Sequence, residues 1–147
     1  MAVRTRRLAG PATSPGPVLV SVTDFTAASA LDLPGVFRAG MALRRLWPDL
    51  PGAVGLWLWA VPLERRCGSV SIWTDGAALR SFVALPEHVA IMRRYRGRGE
   101  IRSVTWEADV FDPAATWARA ARVLAGAGSR AGQAGAAAGA PSQREPR

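Results

Sequence analysis

Hydrophobic positions along the chain change period several times, and each change marks an element. Pro17 to Phe25 (PVLVSVTDF) alternates apolar and polar residues and predicts a strand. Asp32-Leu33-Pro34 then reads as a helix start, with Asp32 as the cap and proline in the first turn. Val36, Ala39, Gly40, Leu43, Leu46 and Trp47 follow at spacings of three and four, so one helix face is apolar until Pro48. Val54 to Val61 and Gly68 to Thr74 predict a hairpin joined by the polar turn Glu64-Arg65-Arg66. Asp75 caps a second helix carrying Leu79, Phe82 and Val83; Pro86 interrupts it, and Glu87 to Tyr95 resumes with His88, Met92 and Tyr95 on one face. Gly97 and Gly99 lead out into a strand from Ile101 to Val110, and Pro113 to Leu124 predicts a short, Ala-rich helix.

The resulting order, β-α-β-β-α-β, is the split arrangement of ferredoxin-like α+β folds: a four-stranded antiparallel sheet with helices on one face. On the second strand Trp57 and Trp59 point one way while Leu56, Leu58 and Ala60 point the other, so both faces are apolar. Two helices cover only one of them. A tryptophan-rich face left in water exceeds what soluble monomers expose, and a second subunit laid sheet to sheet is the simplest cover. The expectation is a homodimer enclosing a partly apolar space. The other cover is the last helix or a tail, and that helix reads as short.

Charge refines the domain limits. The 147-residue chain carries a formal net charge of +8, and all 19 of its basic residues are Arg. Residues 1–15 and 119–147 hold eight of those Arg against Glu145, whereas 16–118 hold eleven Arg against ten acids, so the folded part is close to neutral. A nucleic-acid-binding domain concentrates basic charge on a folded face, so this distribution disfavours that partner. The absence of Lys and Asn reads as a high-GC codon bias rather than as guanidinium chemistry. Residues 1–15 are expected to be a disordered basic leader, 16–125 the domain, and 126–147 a disordered Gly/Ala/Arg tail. The single Cys67 fits a reducing compartment, and no apolar run reaches the ~20 residues of a membrane span, so a soluble cytoplasmic protein is expected.

Ser71-Ile72-Trp73, Asp75, Ala78-Leu79, Phe82-Val83, Pro86-Glu87-His88 and Met92-Arg93-Arg94 together resemble the dimeric α/β-barrel superfamily, which includes antibiotic-biosynthesis-monooxygenase-type proteins. The upstream segment Phe37 to Trp59, with Arg44-Arg45-Leu46 and Leu50-Pro51-Gly52, is similar to spheroidene-monooxygenase-like haem proteins of the same superfamily. The resemblance implies monooxygenase-like chemistry on an apolar or aromatic small molecule, or a non-catalytic ligand-binding module of the same fold. It implies either no cofactor or haem. Haem-degrading relatives carry an Asn in their site, and this chain has none.

His88 is the sole histidine, so imidazole chemistry falls to it, as proton acceptor or haem ligand. Trp57, Trp59, Trp73 and Trp106 are the candidate walls for a planar ligand, with Met92 beside them and Arg93 as an anionic clamp. One Cys and one His do not make a zinc site, and a Cys67–His88 pair would join a turn residue to one beyond the second helix. Gly97-Arg98-Gly99 follows a helix and is an exit turn rather than a phosphate loop.

Overall fold

Alternating strands and proline-punctuated helices condense around one sheet in a computed structural model that describes residues 2–138. The elements run β1 (Val3–Arg4), β2 (Leu8–Ala9), β3 (Val18–Ala27), α1 (Leu33–Leu46), β4 (Ala53–Val61), β5 (Arg66–Trp73), α2 (Gly76–Val83), α3 (Pro86–Tyr95), β6 (Gly99–Ala108) and α4 (Pro113–Ala138). The sheet has the order β1-β4-β5-β3-β6, with β2 also paired to β4, and every pairing is antiparallel. The predicted β-α-β-β-α-β core is present, with the second helix divided at Pro86 into α2 and α3.

Strand alternation sorts the side chains onto two unlike faces. Val18, Val20 and Val22 of β3, Val70 and Ile72 of β5, Trp57 and Trp59 of β4 and Trp106 of β6 form one buried cluster with Ala120 and Leu124 of α4. The opposite face meets α1, α2 and α3, where Trp47, Leu56, Leu58 and Trp73 form a second cluster with Phe82 against it. The cover that the sequence assigns to a second subunit is therefore supplied by the chain itself. Trp117 packs tilted and Phe111 edge-on against Trp57, at 5.8 and 6.4 Å between ring centroids, and Trp59 is completely buried.

Two further expectations give way. The leader is not free: β1 and β2 pair with β4, Thr5 N–H donates to Leu58 O, and Arg4 lies 4.4 Å over the Trp117 ring. Cation–π contact and edge pairing hold an Arg-rich segment that composition alone marks as disordered. At the other end α4 continues past Leu124 to Ala138, because Ala favours helix once a turn is anchored; residues 139–147 of the expected tail lie outside the described residues. Asp75 caps α2 as expected, accepting from Ala78 N at 2.8 Å, and Asp112 caps α4 in the same way, accepting from Ala115 N at 3.0 Å. Asp32 does not, since a 3₁₀ turn capped by Ser29 precedes α1 and Asp32 accepts from Arg98 instead.

One buried ion pair ties α4 to the sheet. Arg66 donates to both carboxylate oxygens of Asp24, at 3.2 and 2.7 Å, and to the Leu124 carbonyl at 2.8 Å. The bond to Asp24 leads in raising the guanidinium pKa further, with burial opposing it. The side chains of Arg66 and Asp24 are 8% and 9% exposed, whereas Glu64, which also meets Arg66, is 54% exposed. Breaking a desolvated pair strands a charge, and breaking a wet one does not. Asp24→Ala is therefore expected to cost about 3–5 kcal/mol and Glu64→Ala under about 1 kcal/mol, as measured by urea unfolding.

Candidate functional site

Between the sheet and helices α1–α3 lies a cavity of about 850 Å³. It exists because the helix layer does not close onto the strands: no residue of α1 or α2 is fully buried, and Phe37, Val83 and Met92 are 36%, 46% and 41% exposed. The helix side is mostly apolar, with Val36 and Leu43 of α1, Leu79 of α2 and Val89 and Met92 of α3, and carries its polar groups at His88 and Arg93. The sheet side carries six hydroxyls, from Ser21, Thr23, Ser69, Ser71, Ser103 and Thr105. Register aligns them in two rows: Ser71 opposite Ser21 and Ser21 opposite Thr105, then Ser69 opposite Thr23 and Thr23 opposite Ser103.

His88 enters from α3, half-buried, its ring 5.0 Å from that of Phe82. Burial pushes the imidazole pKa down, and a hydrogen bond to the Val83 backbone pulls the other way. The neutral form is thus favoured near pH 7, leaving a ring nitrogen able to accept a proton. Arg93 and Arg96 stand exposed at the rim. Cys67 lies in β5 rather than in the turn and lines the same cavity as His88, but burial, with Asp24 adding, pushes its thiol up to about 11. A thiol so protonated is a poor nucleophile.

No family model matches the sequence, and no curated protein does. Solved structures do match. Protein SO0527 from Shewanella oneidensis is 16% identical with a TM-score of 0.57, over 67% of this chain and 96% of that one. A Nitrosomonas europaea protein, provisionally assigned as an antibiotic biosynthesis monooxygenase, is 7% identical with a TM-score of 0.56, over 69% of this chain and 98% of that one. SnoaB from Streptomyces nogalater, a cofactor-independent oxygenase, is 21% identical with a TM-score of 0.50, over 65% of this chain and 97% of that one. The chain has the antibiotic-biosynthesis-monooxygenase fold.

Within that monooxygenase-type fold, the structure brings together only part of the set chosen from sequence. His88, Met92 and Arg93 line the cavity along one stretch of α3. The tryptophans do not. Trp57, Trp59 and Trp106 lie on the opposite face of the sheet under α4, because their strand parity sends them there. Trp73 is on the cavity side yet completely buried behind Phe82, its ring 5.2 Å away, and its Nε1 donates to Ser71 Oγ at 2.9 Å. The residues that sequence reasoning missed are the hydroxyls. Their signal was present as a triplet in three strands: Ser21-Val22-Thr23, Ser69-Val70-Ser71 and Ser103-Val104-Thr105, each with Val toward α4 and hydroxyls toward the cavity.

A depressed His pKa has a definite pH signature. Between the folded pKa and the ordinary ~6.5 the unfolded chain binds more proton, so stability is flat above ~6.5, falls as pH drops through that window, and is flat again below it. NMR titration is expected to place His88 below the ordinary value, and His88→Gln to remove that part of the pH dependence of urea unfolding.

Proposed function

We propose that this protein binds an apolar or aromatic small molecule in the cavity between the sheet and helices α1–α3 and acts on it as a monooxygenase-like enzyme without a cofactor. The observation that carries the reading is His88: the only imidazole of the chain lines a cavity of ligand size, where burial favours its neutral form. Its role is to take a proton from an acidified carbon of the ligand. The carbanion left behind gives its electrons to dioxygen, a C–O bond forms, and loss of water from the hydroperoxide leaves a carbonyl. One methylene and one dioxygen thereby become one carbonyl and one water. SnoaB, which shares the fold, is a cofactor-independent oxygenase, and this supports the reading. Arg93 at the rim is suited to an anionic end of the ligand.

Haem is the cofactor that the superfamily resemblance raises, and the cavity floor suits it poorly. A porphyrin face offers no partner to Ser and Thr hydroxyls, and each polar group sealed without one costs about 1–3 kcal/mol. No step is assigned to haem. The homodimer likewise loses its first argument, since α4 already covers the tryptophan face.

Oxygen uptake with a polyphenolic substrate is expected for the wild-type protein and to fall about 10²–10⁴-fold in His88→Ala. Binding of the same compound without oxygen uptake would instead make the protein a non-catalytic ligand carrier. A haemin titration giving a Soret shift that His88→Ala abolishes would replace the cofactor-free reading with a haem one.

A further inference from the structure

The sheet side of the cavity is mixed: six hydroxyls occupy the middle of β3, β5 and β6, with Leu56 and Leu58 of β4 and Phe25, Cys67 and Ile101 around them. Five of the six hydroxyls are uncommitted among the described residues. Only Ser71 takes part in a side-chain hydrogen bond, accepting from Trp73 Nε1 and donating to the Ser21 carbonyl. Strand geometry places neighbours within a row about 4.8 Å apart and the two rows about 7 Å apart, so the hydroxyls form a flat grid rather than a single polar spot. Facing them, α1, α2 and α3 present Val36, Leu43, Leu79, Val89 and Met92. A purely hydrocarbon ligand would leave the grid unpaired, and a uniformly polar one would wet the helix side.

We infer that the hydroxyl grid of β3, β5 and β6 determines ligand specificity, and that the cavity takes a polycyclic ligand amphiphilic across its two faces, with hydroxyl or carbonyl oxygens on one and hydrocarbon on the other. The inference rests on the cavity being the ligand site, as proposed above, and narrows which ligand fits it. Thr23 and Ser69, half-buried, and Ser103 and Thr105, exposed on the edge strand β6, are the reading residues; Ser21 and Ser71 are the buried pair of the row that Thr105 ends. The occupant lies flat on the sheet, and its oxygens replace the water that the hydroxyls otherwise bind.

Cholate, deoxycholate and lithocholate serve as probes, because they share one fused-ring frame and one carboxylate and carry successively fewer hydroxyls on the same face. Calorimetric titration of the full chain, below micelle-forming concentrations, is expected to show cholate binding at least as tightly as lithocholate, against the order that hydrophobicity alone gives. Thr23→Val with Ser103→Ala removes two hydroxyls with little change of shape. That variant is expected to weaken cholate about 5- to 100-fold and lithocholate by less than about threefold. Affinity rising from cholate to lithocholate, or cholate binding untouched in the double variant, would overturn the inference. So would the absence of bile-acid binding in a protein that still binds and oxygenates a polyphenol, and the proposed function would then stand. Failure to bind either class would overturn both.

Discussion

Strand alternation is the constraint on which everything else in this molecule depends. Because successive side chains leave a strand on opposite sides, the triplet Ser-Val-Thr or Ser-Val-Ser commits three strands at once to an apolar face and a hydroxylated one. The apolar face gathers Trp57, Trp59 and Trp106 and must be sealed, which α4 does. The hydroxylated face cannot be sealed by apolar helices without stranding its oxygens, and there the helix layer stands away from the strands. A sealed core and an open cavity are two results of one periodicity.

Sealing by α4 needs more than contact, since a helix rich in Ala and Gly brings little apolar area to the sheet. Trp117 and Leu124 supply part of what is needed. Arg66 supplies direction: held by Asp24, it reaches a backbone carbonyl near the end of the anchored part of α4 and so sets where the helix lies along the sheet. Arg119, 4.5 Å over Trp106, and Arg4 over Trp117 add guanidinium faces to indole faces. These three arginines thus work as packing material rather than as free surface charge.

The order of elements was legible in the sequence because each carried its own period and its own punctuation, down to the Pro86 break between α2 and α3. What covers the tryptophan face was not. Alternation shows that a face is apolar without naming its neighbour, and Pro113 to Leu124 reads as too slight for the task until Trp117, Arg66 and the leader are counted with it. For the candidate site, the helical spacing of His88 and Met92 put both on one stretch of α3, and both line the cavity. The search for the opposite wall went to large aromatic residues, whereas the sheet contributes small hydroxylated ones. Serine within a strand looks like surface until its register with two other strands places it in a row.

The half-wet helix layer ties occupancy to folding. Apolar side chains on α1, α2 and α3 that remain in contact with water gain from any guest that dries them, so whatever fills the space completes the interior as well as visiting it. Such a guest binds the native chain and not the unfolded one, and its free concentration therefore enters the folding equilibrium directly. If the proposed ligand is that guest, its supply would bear on how long each copy of the protein stays folded.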